Sequence, residues 1–327
     1  MKEFSIAGIT MKNRYVLAPL AGFTDYSLRR MCADYGSSLV YTEMSSCEAL
    51  YYHSQATIKD VEDTRLDKRD FPETRVALQI FGGKKDIILA SIPLFEKYGD
   101  YDFLDFNCGC PVPKVVKQNS GSQWLNRPEE LIETMKEIVR ISSKPVIIKV
   151  RIGFNTIIDM PALCKKLQEV GVQAIAVHGR TRKEGFAGEV HYDEIRKIRE
   201  AVSIPIIANG GIDETNSLEV LEETQAQAIM IGQRAIGYPK VFQDLIAREE
   251  GHPLSKMTMA SQIEDLKKHL HLIFSIKDEK RASDIMRGIS THYIRGFTNC
   301  SQIRSALVHC STLEEYLQVL ANVQFEQ

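Results

Sequence analysis

Residues 145–150 read PVIIKV, 174–179 AIAVHG, 205–210 PIIANG and 228–232 AIMIG. Each run is short, β-branched and almost wholly apolar, as strands buried on both faces of a parallel sheet are. Stretches of helical period separate them: Met160–Val170, Tyr192–Val202 and Ser217–Glu223. The alternation extends upstream. Arg14–Leu20, Ser37–Met44, Val76–Gly82 and Phe103–Gly109 are further strand-like runs, and Pro128–Ile141 reads as a helix whose first turn holds a proline, Glu129 and Glu130. Eight such strand–helix units predict an α/β fold of the (β/α)8 TIM-barrel kind. The rival, a doubly wound open sheet, wants a glycine-rich phosphate turn directly after its first strand. The turn here is APLAGFTD, Ala18–Asp25.

Near residue 250 the pattern changes. GHPLSK (Gly251–Lys256) reads as a linker, and beyond Ser261 only helical periodicity remains, in three or four segments. The expected division is a catalytic barrel over residues 1–250 and a small C-terminal all-α helical bundle over 251–327.

The formal net charge is −2, which excludes a globally basic, nucleic-acid-coating body but not a local basic face. One candidate face exists: Arg281, Arg287, Arg295 and Arg304 are opposed between residues 281 and 304 by Asp284 alone. The cysteines, at 32, 47, 108, 110, 164, 300 and 310, are odd in number and scattered, unlike a disulfide framework. No second thiol or histidine pair accompanies Cys108-x-Cys110, so no metal is expected. No apolar run approaches the roughly 18 residues of a membrane span, and the N-terminus lacks a secretory pattern. A cytoplasmic, monomeric protein is the expectation.

In barrels of this kind, binding and catalytic groups gather at the C-terminal strand ends. Here those ends carry Pro19, Glu43, Gln79, Asn107 to Cys110, Lys149 and Arg151, His178-Gly179-Arg180, Asn209-Gly210-Gly211 and Gly232-Gln233-Arg234. Glycines after the last two strands let backbone N–H groups approach a phosphate, and Arg234 adds a forked donor. Taken singly, the glycines could be turn residues and His178 a core histidine. Lys149 could snorkel from its strand end, and both thiols could be inert.

Together, however, APLAGFTDYSLRRMC, ALQIFG, DFNCGCPVPKV, KVRIG, VHGRT, IPIIANGGI and MIGQRAIGYP strongly resemble the dihydrouridine synthase family. The motifs run in family order over roughly residues 1 to 250, and the helical tail resembles that family's RNA-binding domain. The resemblance implies an FMN-containing barrel that reduces the uridine C5–C6 bond in RNA, above all tRNA, with NADPH as electron source. It implies that Cys110 is the general acid. Pro19, Gln79, Lys149 and His178 then lie against the flavin, and Asn209, Gly211, Gly232 and Arg234 grip its phosphate. Asn107 and Arg180 would meet the uracil, and Lys114, Lys117, Arg182, Lys183 and tail arginines including Arg287 the RNA backbone. The segment Pro111–Trp124 would cover the extruded base. Two departures stand out: Trp124 is bulkier than the family's usual residue there, and Arg287-Gly288-Ile289 replaces a more basic run. The alternatives are a small-molecule flavin oxidoreductase of the ene-reductase kind, which needs no helical tail, and a non-catalytic RNA-binding protein with a vestigial flavin pocket.

Overall fold

The computed structural model describes residues 2–254, 256–297 and 300–323. Ser255 of the expected linker and residues 298–299 and 324–327 of the expected tail lie outside the described residues. Eight strands close into a ring: β1 (Tyr15–Leu17), β2 (Leu39–Tyr41), β3 (Arg75–Phe81), β4 (Phe103–Cys108), β5 (Val146–Arg151), β6 (Ile175–His178), β7 (Ile206–Asn209) and β8 (Ala228–Ile231). All pairings are parallel, and β8 pairs back onto β1. Around the ring lie α1 (Tyr26–Asp34), α2 (Gln55–Asp70), α3 (Lys85–Tyr98), α4 (Pro128–Ile141), α5 (Met160–Glu169), α6 (Tyr192–Ala201), α7 (Ser217–Thr224) and α8 (Val241–Glu249). The barrel is the one the alternation predicts.

Strand parity sorts the side chains. Leu104, Phe106, Ile148, Val150, Ile175 and Val177 join the apolar layer between strands and helices. Their neighbours Phe103, Ile147, Ala176 and Ile207 form a second cluster inside the ring. An antiparallel ribbon, Phe4–Ile6 with Ile9–Met11, closes the floor. Phe4, Ile6 and Met11 share the inner cluster with Leu39, Phe103 and Ala228 at the strand starts. Ala7 and Gly8 turn the ribbon, both at positive φ (49° and 79°), as a two-residue hairpin of primed type requires.

The tail folds as α9 (Met259–Ile276), α10 (Glu279–Tyr293), α11 (Cys300–Leu307) and α12 (Leu313–Ala321). Thr258 with Ser261 and Thr312 with Glu315 form capping boxes that start α9 and α12, and the Asp278 side chain caps α10. These helices enclose their own core of Ile263, Leu266, Leu270, Met286, Ile289 and Tyr316. No helix of the described residues is long and apolar enough to cross a membrane.

Candidate active site

The inward parity that packs Phe103, Ile147, Ala176 and Ile207 inside the ring continues, toward the strand ends, at polar residues. Gln79 on β3, Asn107 on β4, Lys149 on β5, His178 on β6 and Asn209 on β7 all reach the C-terminal mouth. Register puts Asn107 beside Lys149 and His178 beside Asn209. Lys149 is 9 % exposed and donates from Nζ to Asn209 Oδ1 at 2.9 Å. Asn209 is oriented in turn by its own Nδ2, which donates to the Met230 carbonyl at 2.8 Å. Burial, then the neighbouring Arg151 charge, lowers the Lys149 ammonium to a pKa of about 8. Burial, followed by Lys149, Arg151 and Arg180, pushes His178 far below the usual imidazole range, so its ring is neutral.

Behind His178 the chain must pass close. Gly210 has φ +113° and Gly211 φ +62°. Gly232 lies beside Ala18, whose N–H donates to the Ile231 carbonyl, which sets Pro19 next to it at the β1 end of the mouth. Arg234 arrives already partnered: its guanidinium forks onto Glu214, with Nε to Oε2 at 2.8 Å, and lies 4.3 Å over the Tyr238 ring. Sequence distance hid that carboxylate.

The loop after β4 carries Cys110, half-buried, while Cys108 is fully buried. Burial raises the Cys110 thiol above its ordinary pKa, against the lowering effects of the Val112 backbone and the Arg151 and Lys149 charges. Asn107 Oδ1 accepts the Cys110 N–H at 2.9 Å, and Ser122 Oγ donates to the Cys110 carbonyl at 2.9 Å. Arg151 is a residue sequence reasoning left without a role. It is 2 % exposed and ties three loop carbonyls together: Gly109 at 2.8 Å, Thr181 at 3.0 Å and Gly185 at 2.9 Å. Arg180 donates to the Gly188 carbonyl and stands 3.5 Å from His178 Nε2.

Trp124 does not act as part of a cover. It is wholly buried, donates Nε1–H to the Gly82 carbonyl at 2.9 Å, packs edge-on to Phe106 and lies under the Arg127 guanidinium. It anchors the 3-10 turn Gly121–Asn126, and the exposed part of the segment is its front, with Lys114 and Lys117.

A cleft of about 500 Å³ runs from the rim to the tail, lined on one side by Thr42, Glu43 and Lys114 and on the other by Lys277 and Arg281. Arg287 lies elsewhere on α10, exposed and paired with Asp284 at 2.9 Å. Of the basic tail residues, Arg281 and Lys277 line this cleft together with Asp60 and Asp63, and Arg287 does not. Ile289 occupies the tail core, which accounts for one of the missing basic residues.

The family profile described as dihydrouridine synthase (Dus) matches residues 16–327. A tRNA-dihydrouridine synthase B of Vibrio cholerae is 30 % identical over 319 residues, covering 96 % of this chain and 97 % of that protein. The tRNA-dihydrouridine synthase B of Pasteurella multocida is 35 % identical over 241 residues, 73 % of this chain and 70 % of its own. Among solved structures, one titled as TcOYE with pHBA superposes with a TM-score of 0.60 at 12 % identity, over 80 % of this chain and 95 % of that one. Morphinone reductase superposes with a TM-score of 0.58 at 12 % identity, over 80 % and 91 %. At that identity the likeness is one of fold.

Proposed function

Because the chain belongs to the dihydrouridine synthase family, we propose that it reduces the C5–C6 bond of particular uridines in tRNA to 5,6-dihydrouridine, with FMN as cofactor and NADPH as reductant. The observation that carries this reading is the mouth itself: a buried cation, a neutral imidazole and three carboxamides converge beside a half-buried thiol. The residues fit a flavin. Lys149 has three N–H donors and one acceptor among the described residues, Asn209. A buried ammonium left so unsatisfied needs a further polar or anionic partner. Lys149 and Gln79 would hold the ring system, with His178 and Pro19 against it. Gly211 and Gly232 would admit the phosphate, with Arg234 shared between it and Glu214.

When bound, FMN supplies the hydride that uracil C6 receives. The chain's own task is the proton. A thiol whose pKa is raised stays protonated at neutral pH, so Cys110 holds a proton to give to C5. Asn107 and Arg180 would hydrogen-bond the uracil oxygen on which charge builds. Lys114, Lys117, Arg281 and, more distantly, Arg287 would meet backbone phosphates, so affinity falls steeply with salt. We place the enzyme in the cytoplasm, acting as a monomer of a barrel over residues 1–250 and an RNA-binding tail over 251–327.

The test joins a spectrum to a map. Purified protein should carry flavin absorbance, and RNA from cells lacking it should lose one or a few dihydrouridines by mass spectrometry. Cys110→Ala should keep the flavin and lose turnover by about 100-fold or more. A flavin-bearing protein with no dihydrouridine missing, active instead on small enones, would favour the ene-reductase reading that the barrel neighbours suggest by fold alone. Full activity in Cys110→Ala would overturn the role given to that thiol.

A further inference from the structure

Below the mouth lies a carboxyl group that the proposed reaction does not use. Asp105 is wholly buried on β4, two residues before Asn107 and on the same inner face. Its Oδ2 accepts from Gln79 Nε2 at 2.6 Å, and Gln79 Oε1 accepts from Asn107 Nδ2 at 2.7 Å. Asn107 Oδ1 then accepts the backbone N–H groups of Gly109 at 3.1 Å and Cys110 at 2.9 Å.

A carboxamide donates at one end and accepts at the other, so fixing one end fixes what the other offers. A carboxylate only accepts. With Asp105 at its foot the chain has a single direction: Gln79 must turn its NH2 down, Asn107 must turn its NH2 toward Gln79, and an oxygen is left facing the Cys110 N–H. The geometry points to Asp105 as a positioning residue, which through Gln79 and Asn107 sets the direction of a buried hydrogen-bond chain that pins the Cys110 backbone at the mouth. Burial raises the Asp105 pKa to about 7, and Lys149 and Tyr41 share its inner side of the ring. Even the protonated acid keeps an acceptor oxygen for Gln79, so the direction is lost only when that oxygen is removed.

Asp105→Leu removes that acceptor while keeping the branched shape. Nothing then holds the Gln79 NH2 down, both amides can turn over, and the NH2 of Asn107 can then oppose the Cys110 N–H, donor against donor. The bonds stand whatever the reaction is; only their consequence for turnover rests on the proposed function. The primary readout is therefore alkylation by iodoacetamide, followed cysteine by cysteine with peptide mass spectrometry on the flavin-bearing protein. Cys110 should react about five-fold faster or more in Asp105→Leu, the scale of one lost hydrogen bond. Cys108, buried two residues away, should stay unreactive. Uridine reduction should fall about ten-fold in kcat with little change in KM for tRNA.

An unchanged Cys110 rate overturns the inference, and so does a joint rise of Cys108 and Cys110, which would mean a loosened core. If Asp105→Leu does not fold, Gln79→Met cuts the same chain one link on. It must raise Cys110 alkylation selectively, and failure to do so overturns the inference equally. Because alkylation needs neither RNA nor turnover, this inference and the proposed reaction can fail separately.

Discussion

Gly210 holds a backbone that L-residues avoid, at φ +113°, with the His178 ring against it. A Cβ there would lie 2.8 Å from the ring's Cδ2 and 3.0 Å from its Nε2. The ring is 6 % exposed and has little room to retreat. Gly210→Ala is thus expected to cost about 2 kcal/mol through backbone strain and to displace His178. Thermal melting and flavin titration check it: a melting point several degrees lower together with weakened flavin binding is the expected pair. Unweakened flavin binding would separate His178 from the cofactor. How far such residues were legible depended on contrast. Lys149 stood out because it is the lone charge in the apolar run PVIIKV, and Cys110 because of its family motif. Asp105 sits equally alone in FLDFN, yet nothing in the sequence said that it faces Gln79, 26 residues away. Glu214, which occupies Arg234, was hidden for the same reason. Trp124 was misread because a tryptophan in a Gly/Ser-rich stretch reads as a loop, whereas an indole that size fills core wherever the chain can bury it.

Within α10, adjacent residues answer to different demands. Ile289 is buried among Leu270, Met286 and Tyr293, so a basic residue there would enter the tail core. Gly288 faces outward, and a Cβ at that position meets nothing within 4 Å. Gly288→Ala should stabilise the protein by about 0.5–1 kcal/mol, the usual helix-interior difference, read by chemical denaturation. Gly288→Lys should in addition tighten tRNA binding and steepen its salt dependence, provided this face of α10 meets RNA. Equal affinity and slope in Gly288→Ala and Gly288→Lys would place the RNA elsewhere. Elements built on strong periodicity were read well. The eight apolar runs coincide with β1 to β8, with β3 starting one residue before Val76 and β5 ending one residue after Val150, and Pro128–Ile141 is α4 as predicted. The floor ribbon went unread because three-residue strands are too short to show a period. Little marked α2 either, since QATIKDVEDTRLDKRD buries only Ile58, Val61, Thr64 and Asp67.

Across the whole molecule, the tail is fastened to the barrel through polar side chains as well as apolar contact. Gln262 Nε2 donates to the Gly237 carbonyl at 2.7 Å, Lys277 meets Asp63 at 2.6 Å, and Tyr35 bonds Asp265. The deepest link is a relay. Asp25 accepts from Ser27 Oγ at 2.7 Å, Ser27 Oγ meets His269 Nε2 at 2.9 Å, and His269 Nδ1 meets Tyr293 OH at 3.0 Å. It joins α1 to α9 and α10, so the cleft between rim and tail depends on it. Burial lowers His269 to a pKa of about 4, while the unfolded chain takes its proton near the ordinary 6.5. Between those values the unfolded state holds the extra proton. The contribution of His269 is therefore complete above pH 6.5 and is lost as pH falls toward 4. Asp67, raised to about 6, and Asp105, raised to about 7, run the other way: below those values the fold holds the extra proton and gains stability as pH falls. The opposing slopes leave the parent protein with a shallow profile, so the histidine is visible only by difference. His269→Gln should be less stable than the parent at pH 7.5, and the gap should narrow by about 2 kcal/mol by pH 5. Urea denaturation of both proteins at the two pH values measures it. A constant gap would mean that His269 takes up a proton without the fold opening, and that the relay from α1 to α10 tolerates a charge at its centre.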